Sequence, residues 1–140
     1  MVDPQLDIEP YLEAAGQKAM RITHIFETHV QADHLSGARR LAAATGAPVF
    51  FHESAPVRFP HARLTDGEEH VLGNVRLSIL HTPGHTPESL SILVTDRTRA
   101  AEPWFVLTGD TLFAGGVGRP DLLGDGSETG LAEDLWESLH

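Results

Sequence analysis

Three short groups of polar residues have the types and spacing needed for chemistry on a metal ion. They are residues 29–34 (HVQADH), residues 81–85 (HTPGH) and residues 108–110 (TGD). Imidazole and carboxylate are metal ligands and proton carriers, and proline and glycine around His85 force a tight turn that fixes its direction. Because the chain has no cysteine, thiol nucleophiles, disulfides and cysteine-based metal sites are excluded. Any metal must therefore use nitrogen and oxygen ligands.

Each polar group lies beside an apolar run that is typical of a strand, and functional side chains are often mounted on loops at strand ends. We therefore predict that His29, His85 and Asp110 converge on one metal site. The predicted strands are 22–26, 48–51, 75–80, 90–94 and 104–107, the last of them a buried strand, with 75–80 and 90–94 adjacent.

Helical patterns fill much of the remaining chain. A helix is predicted over residues 8–18, and another is capped by Ser36 and ended by Gly46. A third is predicted over 129–139, with one apolar face formed by Leu131, Leu135 and Leu139. Residues 52–69 are rich in turn formers and are expected to be irregular. The pattern predicts a single α/β domain over residues 1–140.

The overall charge limits the classes of partner. Ten Lys and Arg against 20 Asp and Glu give a net charge of -10, which disfavours nucleic acid and anionic membrane surfaces. No apolar run reaches the length of a membrane span, and residues 1–10 lack the features of a signal peptide. We expect a cytoplasmic protein with a small-molecule substrate.

Simpler explanations exist for each polar residue. A single histidine is usually exposed or structurally satisfied, and Asp110 alone could cap a turn. His81 is expected to support its turn. What favours a metal site at His29, His85 and Asp110 is their joint occurrence at strand ends. Structural or surface roles are expected for His24, His52, His61, His70 and His140.

The motifs resemble those of the metallo-beta-lactamase superfamily over nearly the whole chain. The similarity is strongest to the branch of persulfide dioxygenases and glyoxalase II-type hydroxyacylglutathione hydrolases, and it implies an alpha-beta-beta-alpha sandwich. The motifs are ETH at 27–29, ADHLSG at 32–37, HTPGHTP at 81–87, TGDTLF at 108–113 and VGRPDL at 117–122, the last closer to the dioxygenases.

The chain departs from the family pattern at three points. Gln31 stands where the family has a second histidine, and an amide oxygen is a weaker zinc ligand than imidazole. The family's late histidine and its opening strands have no counterpart, so we expect a domain trimmed at both ends. Missing outer strands would expose sheet edges that invite pairing, for example in a homodimer.

The resemblance implies, as the leading function, a persulfide dioxygenase that holds one Fe(II) through His29, His85 and Asp110. Two histidines and a carboxylate form the facial triad of non-heme iron oxygenases. The implied substrates are a small thiol-derived persulfide, such as glutathione persulfide, and O2. Asp33 and His34 would act in catalysis by orienting ligands or a water.

Arg119 is a candidate for binding a substrate carboxylate, because its planar guanidinium suits bidentate recognition. The equally weighted alternative is a salt bridge within the loop, to Asp121 or Asp125.

Two other functions stay open. A glyoxalase II-type hydrolase would use Zn to generate hydroxide, with Asp33 and His34 holding a second metal bridged by Asp110. A protein that keeps the fold without activity, as a binding module, would be consistent with Gln31 and the short ends. The metal content distinguishes the three, since they imply one iron, two zincs and no metal, respectively.

Overall fold

The computed structural model describes residues 1–30, 34–124 and 126–140. Gln31, Asp33 and Asp125 therefore lie outside the described residues. Within the described part, the chain forms three helices and nine strands. In chain order these are α1 (Glu9–Gln17), β1 (Ile25–Phe26), α2 (Ala38–Thr45), β2 (Val49–His52), β3 (Ala62–Leu64), β4 (Glu69–Leu72), β5 (Val75–His81), β6 (Leu90–Asp96), β7 (Phe105–Leu107), β8 (Leu112–Phe113), β9 (Gly116–Val117) and α3 (Glu128–Ser138).

The first sheet consists of three parallel strands in the order β1-β2-β3. Side chains alternate between the two faces of a strand, so neighbours in sequence enter different cores. Phe26 and Phe50, which are paired in register, face the second sheet, whereas Ile25, Val49 and Phe51 pack beneath the helices. The sheet is therefore buried on both faces.

The second sheet is antiparallel, in the order β4-β5-β6-β7. The predicted adjacency of 75–80 and 90–94 is confirmed, because β5 and β6 pair from Val75↔Asp96 to His81↔Leu90. The prediction of a buried strand at 104–107 is wrong. Strand β7 lies at the edge of the sheet, and Phe105 and Val106 are each 42% exposed.

Two apolar clusters stabilise the layers. One lies between the sheets and joins Phe26, Phe50 and Leu64 to residues of β5 and β6. The other lies between the first sheet and helices α1 and α2, and includes Ile8 and Leu41. With α3 packed against the turn after β5, the layers form the predicted alpha-beta-beta-alpha sandwich.

Local predictions agree with the structure to within a few residues. The helices begin and end within one residue of the ranges predicted as 8–18 and 129–139, although Leu139 is 37% exposed. Ser36 Oγ accepts a hydrogen bond from the Ala38 N–H at 2.9 Å, but Gly37 rather than Ser36 occupies the N-cap position of α2. The strand predicted over 22–26 is shorter in the structure, where β1 covers only Ile25–Phe26, and the region 52–69, predicted to be irregular, contains β3.

Among the described residues, no helix has the length and apolarity needed to cross a membrane.

Candidate metal centre

His29, His85 and Asp110 meet at the edge where the strands of the two sheets end. The Oδ2 atom of Asp110 lies 4.0 Å from the Nε2 of His29 and 3.6 Å from the Nε2 of His85. One ligand atom from each residue lies within 4.8 Å of the other two. The two imidazole rings stand edge to face, with centroids 5.0 Å apart. Three groups that are distant in sequence therefore present ligand atoms to a common point.

His29 is oriented by a hydrogen-bond relay that begins near the start of the chain. The Thr28 backbone N–H and Oγ1 both donate to the Asp3 carboxylate, at 2.7 and 2.9 Å. Because the Thr28 hydroxyl proton is used in this way, Oγ1 accepts from the Nδ1–H of His29, 2.9 Å away. This relay selects the tautomer in which Nε2 of His29 carries no proton, which is the form of imidazole that can bind a metal.

His85 is held by the backbone of a distant loop. Its Nδ1–H donates to the carbonyl oxygen of Arg119 at 3.0 Å, and only 3% of the side chain is exposed. This bond turns Nε2 of His85 toward Asp110. The preceding Gly84 has φ +140°, and a Cβ added there would lie 2.5 Å from the Cα of Leu135 in α3. Glycine therefore allows helix α3 to pack directly on the turn that carries His85.

Asp110 is placed by a turn that passes close to the His29 loop. A Cβ added at Gly109, which has φ +49°, would lie 2.5 Å from Oγ1 of Thr28. The next residue, Thr111, is buried, and its hydroxyl lies 3.2 Å from that of Thr82 in the His85 turn. The loops of the second and third polar groups are therefore joined by a buried hydrogen bond.

Glu88 joins the loops of the first and second groups. Its side chain is buried, and Oε1 accepts the Val30 N–H at 2.9 Å across 58 residues of sequence. A charged acceptor makes such a bond short and strong. The loop after His29 is thereby tied to the loop after His85.

The donor set fits a single divalent metal ion. Ligand atoms 2.0–2.2 Å from a metal at angles of about 90–110° lie about 3.0–3.4 Å from each other. The 3.6 and 4.0 Å separations from Asp110 would need to close by about 1 Å or less, and the two histidine nitrogens, which lie within 4.8 Å of each other, by at most about 1.8 Å. A further buried nitrogen, Nε2 of His34, has no hydrogen-bond partner among the described residues. It lines a cleft of about 310 Å³ together with His29 and Asp110.

The structure places the other predicted site residues differently with respect to the candidate metal centre. His34 lies beside the candidate metal centre but does not belong to the three-ligand group. Asp33 falls outside the described residues. The guanidinium of Arg119 forms a fork with Asp121, with Nε–Oδ1 at 3.0 Å and Nη2–Oδ2 at 2.7 Å. Substrate binding by Arg119 thus stays a prediction, and the alternative loop salt bridge is present.

A second cavity of about 300 Å³ adjoins the centre and shares His29 and His34 with the cleft. Glu27 also lines it and accepts a 2.6 Å hydrogen bond from Ser36 Oγ. Burial raises the pKa of the Glu27 carboxyl to about 7, although the bond from Ser36 opposes the shift.

Sequence reasoning missed Asp3, Thr28 and Glu88 as supports of the site. Thr28 was next to a predicted ligand, which is a usable signal because the residue beside a ligand often orients it. Asp3 and Glu88 gave no local signal.

Comparisons with known proteins identify the family. The sequence profile of the Metallo-beta-lactamase superfamily matches residues 1–140. The chain belongs to this superfamily. It is 37% identical over 140 residues to a hydroxyacylglutathione hydrolase from Methylococcus capsulatus, a match that covers 99% of this chain and 49% of that protein. The chain spans about half the length of the curated relatives it matches.

Two solved structures superpose on this chain over nearly its whole length. A metallo-beta-lactamase from Staphylococcus aureus subsp. aureus COL superposes with a TM-score of 0.89 at 37% identity, covering 99% of this chain and 43% of that one. ETHE1 from Myxococcus xanthus superposes with a TM-score of 0.81 at 32% identity, covering 99% and 56%. These relatives confirm the family resemblance predicted from the motifs.

Proposed function

We propose that this superfamily member is a metal-dependent enzyme acting on a glutathione-linked sulfur compound, with His29, His85 and Asp110 as its metal ligands. The leading reaction is oxidation of glutathione persulfide by O2 on a single Fe(II). The observation that carries this proposal is the convergence of two imidazoles and one carboxylate within 4.8 Å, which is the donor set of the iron facial triad. Gln31 at the position of the family's second histidine is compatible with a single metal.

A bound Fe(II) with this donor set would supply open coordination positions and activation of O2 next to the substrate sulfur. The chain supplies the positioning. His29 and His85 each have Nδ1 fixed by a hydrogen bond, so their Nε2 atoms need little reorganisation to bind a metal. The Asp110 side chain is 38% exposed, which leaves the centre open to a substrate. His34, and Asp33 by proposal, would orient the substrate or a water beside it.

A thiolester hydrolase with Zn is the second candidate. Its support is the similarity to two hydroxyacylglutathione hydrolases, at 37% and 34% identity. The buried Nε2 of His34, which has no hydrogen-bond partner within the described part of the chain, is also a donor that a second metal could use. In that case Asp110 would contact both ions.

Metal content and turnover test both candidates on the same preparation. The purified chain is loaded anaerobically with Fe(II), or separately with Zn, and the bound metal per chain is measured. O2 uptake with glutathione persulfide and thiolester cleavage of S-lactoylglutathione are then followed. One iron with O2 uptake supports the dioxygenase. Two zincs with thiolester cleavage support the hydrolase, and absence of bound metal would contradict both and favour an inactive binding module.

Two variants test the ligand assignment. His85→Ala removes a buried donor and should weaken metal binding at least about tenfold, because loss of even an outer-shell partner costs 10- to 100-fold. His140→Ala is the matched control, since this histidine is exposed, follows the C-terminal end of α3 and does not belong to the three-ligand group. A His85→Ala protein with unchanged metal affinity would contradict the assignment. The cytoplasmic location and the homodimer stay predictions, and light scattering of the purified chain would test the latter.

A further inference from the structure

The cavity beside the candidate metal centre has the size and lining of a ligand pocket. We name it the α2 pocket, because it lies between helix α2 and residues 56–59, and its volume is about 300 Å³. This is the lower end of the range for small-molecule sites. It shares His29 and His34 with the cleft that contains Asp110. A molecule whose reacting end sits at the metal ligands can therefore extend into it.

Two phenylalanines give the α2 pocket a preformed apolar wall. The rings of Phe51 and Phe59 meet edge to face, with centroids 6.0 Å apart. Phe51 belongs to strand β2 and is buried, so it anchors the more exposed Phe59. Val57 and Ala38 extend the same surface. The wall suits an aliphatic chain better than a fully hydrated ion.

Two arginines place positive charge at this pocket. Arg39 and Arg58 both line it, both are exposed, and neither pairs with a carboxylate among the described residues. The Cζ atom of Arg39 lies 5.1 Å from the centroid of the Phe59 ring. Stacking of a guanidinium on an aromatic face leaves its N–H groups free to bind a carboxylate at the edge.

The other charged groups near the metal centre are less suited to binding an anion than Arg39 and Arg58. Arg119 is already engaged by Asp121. Glu27 lines the α2 pocket and already accepts the Ser36 hydroxyl proton, so neither side chain of this pair offers a positive charge to an anion. In a chain with net charge -10, Arg39 and Arg58, which form no ion pair with any described carboxylate, are the favourable place in this pocket for a substrate carboxylate.

We propose that the α2 pocket binds the non-reacting part of the substrate, with an aliphatic segment against Phe51 and Phe59 and a carboxylate held by Arg39 and Arg58. The substrate class is thus a small thiol-derived compound that carries a carboxylate several bonds from its sulfur. The inference rests on the proposed function in one respect, that the sulfur is the end placed at the metal ligands.

The test uses S-methylglutathione, which keeps the carboxylates and has no reactive sulfur, and its diethyl ester, which lacks their charge. Binding to the zinc-loaded protein is followed by backbone amide shifts in NMR. The variant Arg39→Gln/Arg58→Gln is compared with Arg21→Gln/Arg63→Gln, which changes the net charge equally at exposed arginines outside the α2 pocket. Non-specific attraction of an anion would affect both double variants alike.

We expect S-methylglutathione to shift the amides of Val57 and Phe59 and to bind the Arg39→Gln/Arg58→Gln protein about tenfold more weakly or worse, since two charge-assisted hydrogen bonds are lost. The control should bind as the unmodified protein does. The diester should bind weakly, and equally to all three proteins.

Equal affinity of the two double variants, shifts confined to other regions, or no binding to the unmodified protein would overturn the inference. The proposed function is judged separately by metal content and turnover. If the unmodified protein turns over substrate but the Arg39→Gln/Arg58→Gln protein binds S-methylglutathione with unchanged affinity, only the pocket assignment is wrong. If S-methylglutathione binds as expected at the α2 pocket but the protein holds no metal and shows no turnover, only the proposed function is wrong.

Discussion

Replacement of Gly84 by alanine should be among the most destabilising single-methyl additions in this chain. Gly84 has φ +140°, a region that side chains avoid at a cost of about 1–3 kcal/mol. The added Cβ would lie 2.5 Å from the Cα and 2.7 Å from the N of Leu135, and helix backbone cannot move aside as a flexible side chain can. Overpacking of this kind costs about 1–3 kcal/mol more. The free energy of unfolding should therefore fall by roughly 2–6 kcal/mol.

Urea unfolding of the metal-free protein measures this loss, with Gly46→Ala as the matched control. Gly46 ends helix α2 with φ +74°, but a Cβ there meets nothing within 4 Å, so it isolates the backbone strain, about 1–2 kcal/mol. Gly84→Ala should also weaken metal binding, because the turn carries His85, whereas Gly46→Ala should not. Equal free energies of unfolding for the two variants would refute the close packing of α3 on the turn.

Three further changes test single residues of the site and of the fold. Glu88→Ala removes the acceptor of the Val30 N–H and should lower the free energy of unfolding by about 1–3 kcal/mol in urea, whereas Glu88→Gln, which keeps an acceptor, should lose less. Burial lowers the pKa of His52, with a smaller contribution from His81, so stability is lost as pH falls below the ordinary histidine pKa; His52→Phe should show a smaller loss between pH 7 and pH 5.5 in urea titrations. Arg119→Gln should leave metal affinity unchanged, because its carbonyl rather than its guanidinium holds His85, and a raised KM would be the sign of carboxylate binding by Arg119.

The parts of the fold that sequence could predict are those set by local pattern. Helix α2 ends at Gly46, as the glycine predicts, and strands β5 and β6 follow their apolar runs. An apolar run cannot show whether a strand is central or at an edge, which is why 104–107 was expected to be buried while β7 lies at the edge with Phe105 exposed.

The same distinction applies to the site. The three candidate ligands could be found because histidine and aspartate next to turns have a recognisable pattern. The supports Asp3 and Glu88 could not be found, since Asp3 contacts Thr28 across 25 residues and Glu88 contacts Val30 across 58. Such pairs exist only once the sheets have formed, and nothing in the flanking residues encodes them.

The hydrogen bonds around the centre join every loop that carries a candidate ligand, so the stability of these loops and the affinity for metal should be coupled. Glu88 connects the His29 and His85 loops, the Thr82–Thr111 pair connects the His85 and Asp110 loops, and the Arg119 carbonyl holds His85 itself. A metal that binds only the folded chain stabilises it, by about 4 kcal/mol at a thousandfold excess over its dissociation constant. Because the same bonds preorganise the ligands, a variant that loosens them loses part of this stabilisation as well as its own contact energy. The loss on Glu88→Ala should therefore be larger in metal-loaded than in metal-free protein, and equal losses would mean that the loops are positioned independently of one another.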